Sequence, residues 1–282
     1  MNSISKVAFI PRRVKNADKF TYKKVLIIAG AKGMAGAAYF SAYSAYITGA
    51  GLVKIFTVEE NRQILQTLLP EALISCHTED EQDMSLLDKE LDWSDHLVIG
   101  PGLGRDEYAF KLTENVIKNY KKSMVIDADA LYVLAKNEDL RSFLAPNMLL
   151  TPHIIEMSRL IGKDTKYISE HMEEVAKDFS RQNHTNIILK AHESIIACVD
   201  ESVYLSNFGS SAMAKGGSGD ILTGVIAGLS ALNFDIIKAA RYACLIHGSS
   251  GSMASKIKGE HGVLARDIIE CIPEVMKDYM LS

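Results

Sequence analysis

The stretch that decides the fold runs from Lys24 to Val58 and reads KVLIIAGAKGMAGAAYFSAYSAYITGAGLVKIFTV. It starts and ends with apolar runs, Lys24 to Ala29 and Val53 to Val58, which predict two buried strands. Between them, after the glycine turn Gly30 to Gly36, the pattern predicts a helix over Ala35 to Thr48. Strand, helix and strand in this order predict two parallel strands joined by a crossover helix.

The same alternation continues through the 282 residues of the chain. Further strands are predicted at His96 to Ile99, Met124 to Ile126, Met148 to Leu150 and Ile187 to Leu189, and further helices at Arg62 to Leu69, Tyr108 to Tyr120, Leu131 to Lys136 and Ile168 to Gln182. A hairpin of Ser194 to Val199 and Ser202 to Leu205, then three more helices, complete the pattern. No low-complexity linker or repeat interrupts it, so the sequence predicts a single α/β domain over residues 1–282 with a mostly parallel sheet.

Charge and hydropathy restrict the partners. The formal net charge of -4 gives no electrostatic basis for binding nucleic acid or an anionic membrane. Residues Gly33 to Val53 carry no charge and are long enough to span a bilayer, but their Gly, Ser, Thr and Tyr content is too polar for that. We therefore expect a buried helix there that packs through small residues.

The four cysteines are widely spaced, with no C-x-x-C pair. This spacing is typical of reduced, mostly buried thiols in a cytoplasmic protein. It does not favour a disulfide framework or a zinc site.

The unusual residues of the chain follow the predicted strands. They are the glycine turn Gly30 to Gly36, the GPGLG turn Gly100 to Gly104, the pair Asp127 and Asp129, the segment Thr151 to Glu156, and Lys190. In an open parallel sheet, ligands bind at the carboxyl ends of the strands. The sequence therefore predicts a ligand site along this edge.

The stretch KGGSGDILTG, Lys215 to Gly224, is the strongest candidate for chemistry. Its glycines allow successive N–H groups to approach a phosphate, and a helix predicted over Ile221 to Leu232 directs its positive end to the same point. Asp220 is then placed to take a proton from a hydroxyl that attacks the phosphate. A tight loop with Asp220 as the helix N-cap fits the same letters.

The other loops also fit two interpretations each. GPGLG is either a tight crossover or a binding loop. Of the two acids, Asp129 is well placed to cap the next helix, and Asp127 is placed to orient a metal-bound water or another loop. If a helix begins near Pro152, His153 and Glu156 fall on one face of its first turn. They are then a substrate contact and a holder of hydrated Mg²⁺, or simply an ordinary helix start.

The glycine turn GAKGMAG, with Glu59 near the end of the next strand, also resembles a dinucleotide-binding unit. The second glycine of that pattern is replaced by Lys32, whose side chain stands where the backbone should approach a pyrophosphate. A nicotinamide-dependent oxidoreductase is therefore disfavoured, although the loop remains available to contact a substrate.

Taken together, these motifs resemble the ribokinase-like superfamily and, within it, the carbohydrate-kinase-like branch of NAD(P)H-hydrate dehydratases. The likeness covers nearly the whole chain, from GAKGMAGAA through GPGLG, VIDADAL, LLTPHIIEMSRL and GGSGDILTGVIAG to HGSSG and EHGVLARDI. It implies a three-layer αβα sandwich with a mostly parallel central sheet.

The resemblance also implies a reaction, in which ADP or ATP phosphorylates the ring hydroxyl of hydrated NADH or NADPH and phosphate is then eliminated. Asp220 would be the base, and the amides of Gly217 and Gly219 would stabilise the phosphoryl group. Matching positions for the hydrate are Ala37, Gly102, Gly104, His153 and Asp220; those for the nucleotide are Lys190, Ala191, His192, Glu193, Ser194 and Gly219; Glu156 would hold Mg²⁺ through water.

Further expectations come from the same family. It implies a homotetramer and, because few residues precede the first strand, an epimerase that is a separate protein. Ile154 and Ile155 depart from the Pro-Gly of many relatives. Related kinases often carry Asn where this chain has His153, and this difference favours a dehydratase. The main alternative is a kinase for a hydroxymethylpyrimidine or hydroxyethylthiazole alcohol. A non-catalytic nucleotide-binding regulator is a third possibility.

Overall fold

A computed structural model describes residues 2–4, 9–77 and 84–281. Its strands are β1 (Asn2–Ser3), β2 (Lys24–Ile28), β3 (Leu52–Val58), β4 (Leu73–His77), β5 (His96–Ile99), β6 (Ser123–Ile126), β7 (Met148–Leu150), β8 (Asn186–Leu189), β9 (Ser194–Ala197) and β10 (Val203–Ser206). Its helices are α1 (Ala35–Thr48), α2 (Arg62–Leu68), α3 (Ser85–Trp93), α4 (Glu107–Asn119), α5 (Ala128–Lys136), α6 (Ile154–Ile161), α7 (Thr165–Glu170), α8 (Met172–Asn183), α9 (Ser218–Ala231), α10 (Ile236–Lys258) and α11 (Ala265–Asp278).

The strands form one sheet in the order β1-β10-β9-β8-β7-β6-β5-β2-β3-β4. Strands β2 to β8 pair in parallel, and β9 is antiparallel to both β8 and β10. This confirms the mostly parallel sheet and the hairpin that the sequence predicts. Parallel strands end at the same edge, so the loops that follow β2, β5, β6, β7 and β8 share one side of the molecule.

Strand β2 is the point at which the sheet changes direction. From β2 the chain proceeds through β3 to β4 at one edge, and then returns to place β5 on the other side of β2. Loops that leave adjacent strands in opposite directions open a crevice between them, and ligands bind in such crevices. Here the two loops are the GAKGMAG turn after β2 and the GPGLG turn after β5.

Alternate residues of the strands pack into two separate cores. In β2, Val25 and Ile27 face α1, α2, α9, α10 and α11, whereas Leu26 and Ile28 face α3 to α8. All four side chains are completely buried, and full burial of each such side chain stabilises the fold by about 1.5–3 kcal/mol. The three-layer αβα arrangement is therefore confirmed.

Helices α1 and α9 cross at very short distance because small residues line the contact. A Cβ added to Gly224 would overlap the carbonyl oxygen of Ser41, and one added to Gly228 would overlap Thr48 Oγ1. The uncharged segment around α1 is thus a buried helix that packs through small residues, as its composition predicts. None of the helices among the described residues is long and apolar enough to cross a membrane.

Several elements differ from the sequence prediction. Strands β1 and β4 and helix α3 were not predicted, and the helix predicted over Ile168 to Gln182 is two helices, α7 and α8. The break occurs at His171, whose backbone leaves the helical region at φ -129°. Its ring lies 2.9 Å from the carbonyl oxygen of Tyr167 and stacks on the Tyr167 ring, and its backbone N–H donates to the same oxygen at 3.1 Å.

The cysteines agree with the expectation from their spacing. All four are free, Cys198, Cys244 and Cys271 are buried, and Cys76 is partly buried. Burial raises the pKa of Cys76 and of Cys198 to about 11, so both side chains remain thiols at neutral pH.

Candidate functional site

The loops at the carboxyl edge of the sheet are joined directly to one another. Gly30 N–H donates to the carbonyl oxygen of Pro101 at 3.0 Å, which closes the crevice between the loops after β2 and β5. On the other side, Lys190 N–H donates to the carbonyl oxygen of Pro152 at 2.8 Å. The segments with unusual residues therefore form one continuous rim, as their positions in the sequence predict.

Helix α9 begins three residues earlier than the sequence predicts. Gly217 is the N-cap, with a φ of +94°, and Asp220 is the third residue of the helix. A Cβ at Gly217 would also lie within 2.9 Å of the Phe40 ring and of Ala265. The interpretation of Asp220 as an N-cap is therefore wrong, and its carboxylate has no part in capping.

The first turn of α9 is suited to bind an anion. The first amides of a helix have no partner within the helix and lie at the positive end of its dipole. The earliest helical hydrogen bond runs from Ile221 N–H to the carbonyl oxygen of Gly217 at 3.1 Å, so the amides of Gly219 and Asp220 precede it. Because Gly219 carries no side chain, a phosphate can approach these amides closely.

Two hydrogen bonds, one of them from helix α1, hold the backbone of this turn. Ser41 Oγ donates to the carbonyl oxygen of Asp220 at 3.1 Å, and Thr223 Oγ1 donates to the same atom at 2.8 Å. The backbone of the candidate base is thereby anchored across the close crossing of α1 and α9.

A buried ion pair faces the same turn. Lys190 Nζ lies 2.8 Å from Asp127 Oδ1, which also accepts a hydrogen bond of 2.7 Å from Thr151 Oγ1. The ammonium lies 3.5 Å from the position that a Cβ on Gly219 would occupy. Burial opposes the charge on Lys190, but Asp127 and Glu156 outweigh it and raise the pKa of Lys190. The site therefore holds a permanent cation beside the anion-binding turn.

The two acids after β6 both bind neighbouring loops, and the expected cap of α5 by Asp129 is not formed. Asp127, not Asp129, occupies the N-cap position of α5, although its side chain makes no capping bond there and binds Lys190 instead. Asp129 accepts a hydrogen bond from Gly104 N–H at 3.0 Å. Between them, Ala128 has a φ of +49°, a left-handed conformation that is costly for a residue with a side chain and that concentrates at functional sites.

Burial and neighbouring acids raise the pKa of Asp220. Its removal from solvent, together with the negative charge of Asp127, raises the pKa of Asp220 to about 6, and the Lys190 cation opposes this increase. A carboxylate with a pKa near the working pH is effective as a general base, because it is ionised yet binds a proton well.

His153 and Glu156 form the capping box of α6. His153 Nδ1 accepts hydrogen bonds from the amides of Ile155 and Glu156, and Glu156 Oε2 accepts one from His153 N–H at 2.8 Å. The helix begins at Ile154, so the expectation of a start near Pro152 is two residues early. Burial raises the pKa of Glu156, and burial together with Lys190 lowers the pKa of His153. The helix-start interpretation is confirmed, and both side chains also face the charged centre.

Three of the positions matched to the hydrate, Ala37, Gly102 and Gly104, lie in or next to the loops that line the crevice. Gly102, with a φ of +55°, approaches Ala37 so closely that an added Cβ would lie 2.9 Å from the Ala37 Cβ. Gly104, with a φ of +88°, would place a Cβ 3.3 Å from the Cβ of Ala31. Glycine is required at both turns because the left-handed backbone and the narrow spacing each disfavour a side chain.

The two residues that bear on a dinucleotide-binding unit, Lys32 and Glu59, both form ion pairs with neighbouring side chains. Lys32 is exposed and pairs with Glu60 at 3.4 Å. Glu59, which would read a ribose in such a unit, is bound by Arg62 through two hydrogen bonds of 2.6 and 2.8 Å. The structure thus agrees with the argument against an oxidoreductase.

The loop matched to the nucleotide continues from the buried cation to the surface. Lys190 directly follows β8, and Ala191, His192 and Glu193 are exposed. Ser194, at the start of β9, is partly buried and its hydroxyl contacts Ala191. The loop therefore has its backbone open to solvent and its first residue next to the anion-binding turn.

One contact at the site was not predicted. Ser218 Oγ lies 3.2 Å from Nε2 of His247, a buried residue of α10. Burial lowers the pKa of His247 to about 4, so the ring is neutral at physiological pH. HGSSG, which starts at His247, is one of the stretches that carry the family resemblance, but no local pattern links the interior of α10 to the first residue of α9, 29 residues earlier.

Cavity size alone does not locate this site. A cavity of about 420 Å³ lies between α8 and the β9–β10 hairpin, lined by residues that include Glu173, Lys177, Arg181 and Glu201. It is at the opposite edge of the sheet, where Ala197 pairs with Ile187 at the start of β8. The convergent charges and glycine turns are at the carboxyl edge, and they identify the candidate site.

The side chains around this site bear on metal binding. Across residues 2–4, 9–77 and 84–281, no group of three His, Cys, Asp or Glu side chains is arranged to hold a metal ion. Mg²⁺ usually takes one or two carboxylates and completes its shell with phosphate oxygens and water. The partly exposed Glu156 fits that mode, in which the ion arrives with the nucleotide.

Comparison with known proteins places the site in context. A protein family described as NAD(P)H-hydrate dehydratase matches residues 25–274. The ADP-dependent (S)-NAD(P)H-hydrate dehydratase of Lactococcus lactis is 34% identical over 96% of this chain and 95% of its own length. The chain spans about half the length of the curated bifunctional NAD(P)H-hydrate repair enzymes that it matches.

Solved structures agree with the sequence comparison. The ADP/ATP-dependent NAD(P)H-hydrate dehydratase of Bacillus subtilis, co-crystallised with ATP and Mg²⁺, superposes with a TM-score of 0.84 at 29% identity, over 96% of this chain and 94% of that one. A ribokinase-like superfamily protein of Enterococcus faecalis gives a TM-score of 0.85 at 26% identity, over 96% and 92% of the two chains. The ribokinase-like fold is therefore confirmed.

Proposed function

Because this chain belongs to the NAD(P)H-hydrate dehydratase family, we propose that it restores hydrated NADH and NADPH by using a nucleotide phosphate bond to remove the added water. The observation that carries the proposal is the first turn of α9. There, a carboxylate with a pKa of about 6 shares the turn with helix amides that have no partner within the helix, and the Lys190 cation lies beside the turn. This arrangement suits the transfer of a phosphoryl group to a hydroxyl.

The reaction proceeds in two stages. Asp220 accepts the proton of the ring hydroxyl, whose oxygen attacks the terminal phosphorus of the nucleotide and displaces AMP from ADP, or ADP from ATP. The amides of Gly217 and Gly219 stabilise the phosphoryl group during transfer. The C–O bond then breaks, phosphate leaves with the bonding electrons, and loss of a proton from the neighbouring carbon restores the double bond of the ring.

Each substrate has its own side of the rim. The hydrate would bind in the crevice beside Ala37, Gly102 and Gly104, with His153 and Asp220 at the reacting ring. The nucleotide would bind along the loop from Lys190 through Ala191, His192 and Glu193 to Ser194, with its phosphates at Gly219. The meeting of both sides at Lys190 and α9 supports this arrangement.

Mg²⁺ would enter with the nucleotide and reduce the negative charge on its phosphates. Glu156 would hold the ion through water, since its carboxylate already accepts the His153 amide and retains partial exposure. We propose ADP as the phosphoryl donor, in line with the standalone relatives of Listeria monocytogenes and Lactococcus lactis that are named ADP-dependent.

The decisive experiment incubates the protein with hydrated NADH, Mg²⁺ and either ADP or ATP. Recovery of reduced-nicotinamide absorbance, together with release of inorganic phosphate, is expected with the wild type and not with Asp220→Ala. The same mixtures should also contain a hydroxymethylpyrimidine or a hydroxyethylthiazole alcohol. Phosphorylation of that alcohol without recovery of NADH would replace the dehydratase by a kinase of the same fold.

We further propose that the protein works as a homotetramer in the cytoplasm, beside a separate epimerase that interconverts the hydrate epimers. The free, mostly buried cysteines support a reducing compartment. Light scattering after size-exclusion chromatography tests the assembly, since the monomer mass is 31.0 kDa; a single peak at that mass would contradict the tetramer.

A further inference from the structure

Arg105 lies at the end of the GPGLG turn and is held there from two sides. Its Nε donates to Asp129 Oδ1 at 2.7 Å, and its guanidinium carbon lies 4.4 Å from the centre of the Tyr132 ring. Even so, 51% of its side chain is exposed. A guanidinium fixed in this way is oriented in advance, and it has further N–H donors for a ligand.

The same carboxylate also shapes the binding crevice. Asp129 Oδ2 accepts the hydrogen bond from Gly104 N–H, while Oδ1 binds Arg105. Gly104 in turn lies against Ala31 of the loop after β2. Arg105 is therefore attached to the hydrate side of the rim, and the Lys190 side chain marks the nucleotide side.

The charges around Asp129 make a cation necessary there. Asp129 contributes to the raised pKa of Asp220, so its negative charge is felt at the reacting centre. If no cation neutralised the Asp129 carboxylate, its charge would repel a substrate that carries phosphate groups. Arg105 compensates Asp129 and can bind phosphate bidentately through its planar fork.

The neighbouring cations on this edge are engaged differently. Lys32 is 72% exposed and pairs with Glu60, and Arg62 makes two hydrogen bonds to Glu59 within its own turn. Arg105 differs because its acid is shared with a loop amide, so its ion pair also determines the position of Gly104.

We infer that Arg105 binds a phosphate group of the hydrated dinucleotide and that Asp129 is the residue that positions it. The inference rests on the proposed function and deepens it by identifying a specificity residue for the substrate. Two kinds of phosphate are available: the pyrophosphate, common to NADH hydrate and NADPH hydrate, and the 2′-phosphate, present only in NADPH hydrate.

The test compares Arg105→Gln and Arg105→Lys with the wild type. A lost charge-assisted hydrogen bond predicts a KM for the hydrate that rises about 10- to 30-fold in Arg105→Gln. The lysine variant, which keeps the charge and loses the fork, should be intermediate. The kcat and the KM for the nucleotide should change by less than about threefold, because Arg105 does not face the phosphoryl group.

The matched control is Arg181→Gln. Arg181 is also an exposed arginine with a 2.7 Å ion pair, to Asp178 in α8, and it lies at the opposite edge of the sheet. Its substitution removes the same charge and should leave every kinetic constant as in the wild type.

Two arms identify the phosphate. An equal increase in KM for both hydrates assigns Arg105 to the pyrophosphate, and an increase confined to NADPH hydrate assigns it to the 2′-phosphate; either result supports the inference. Unchanged hydrate KM values, a rise in the nucleotide KM, or a fall in kcat alone would overturn it. If the wild type dehydrates neither hydrate, the proposed function fails, and a fluorescence titration with NADPH still decides whether Arg105→Gln weakens dinucleotide binding.

Discussion

At the scale of single residues, the role proposed for Asp220 combines two requirements that oppose each other. As the proposed base it must be ionised, yet burial and the charge of Asp127 disfavour the ionised form and raise its pKa to about 6 from the ordinary value of 3.8. The neutral acid is thus stabilising, and this contribution is lost as pH rises through 6. At neutral pH the protein is less stable than it would be without this charge.

We therefore expect Asp220→Asn to lose turnover by at least about 100-fold and to gain stability. At roughly 1.4 kcal/mol per pKa unit, reduced for partial exposure, the gain is about 1–2 kcal/mol above pH 6, or about 2–5 °C in Tm. Thermal unfolding at about pH 5 and about pH 8 measures it, and the gain should appear at the higher pH.

Asp200→Asn is the control for this prediction. Asp200 lies in the β9–β10 turn, where a hydrogen bond from the Ser202 side chain lowers its pKa, so its charge stabilises the fold. Its substitution should keep turnover and lower Tm slightly or leave it unchanged. A higher Tm in Asp200→Asn, or a lower Tm in Asp220→Asn, would contradict the argument from burial.

The same carboxylate predicts the pH dependence of the reaction. Since the ionised form of Asp220 accepts the proton, kcat/KM should rise with pH and reach half its plateau near pH 6. A profile measured between about pH 4.5 and about pH 8 with saturating nucleotide tests this. A midpoint near 4 would mean that Asp220 is not the group that titrates.

The residue types of the site could be predicted from sequence, but their contacts could not. Asp220 and Lys190 follow glycine-rich or strand-end patterns that are visible in the chain. The side chain of Asp127, at the N-cap position of α5, binds Lys190, which lies 63 residues away, and makes no capping bond. Such choices are decided by which partner reaches a carboxylate in the folded state, and a local pattern carries no information on that.

At the scale of elements, the crossing of α1 and α9 positions the first turn of α9, where we propose that the phosphoryl group is transferred. We expect Gly224→Ala to destabilise the protein by several kcal/mol, because the added Cβ would overlap the backbone of Ser41. We also expect it to lower kcat, because the hydroxyl of Ser41 anchors the backbone of Asp220. Denaturant unfolding and steady-state kinetics measure both effects.

Gly36→Ala in α1 is the matched control. A Cβ there would have its nearest contact at 4.0 Å, the edge of the Phe40 ring. The same substitution should therefore stabilise the protein by about 0.5–1 kcal/mol through helix propensity. Equal effects of the two substitutions would show that helix propensity, not the helix crossing, governs Gly224.

Element boundaries show where prediction from sequence stops. The long apolar runs predicted the central strands, since a strand buried on both faces has no polar side. Strand β4 was not predicted because it is an edge strand, and most of its residues are partly exposed. The start of α9 was misplaced because Gly217 is left-handed, a conformation that Gly216 and Gly219 would equally permit.

At the scale of the whole molecule, the free cysteines offer a simple measure of how tightly the layers close. Burial raises the pKa of Cys244 to about 12 and also that of Cys271. We expect the native protein at about pH 7.5 to react slowly with a thiol reagent and all four thiols to react at once in denaturant, since the thiolate is the reactive form. Rapid reaction of several thiols in the native state would contradict the buried arrangement.

The contact between α1 and α9 also dictates when the protein can become active during synthesis. Ser41 and Asp220 are separated by 179 residues, so a growing chain exposes the small-residue face of α1 until most of the sequence has left the ribosome. Contacts this distant in sequence slow folding and prolong the exposure of unpaired surface. The crevice between the loops after β2 and β5 can form early, but it remains without Asp220 and the first turn of α9 until α9 (Ser218–Ala231) has been synthesised.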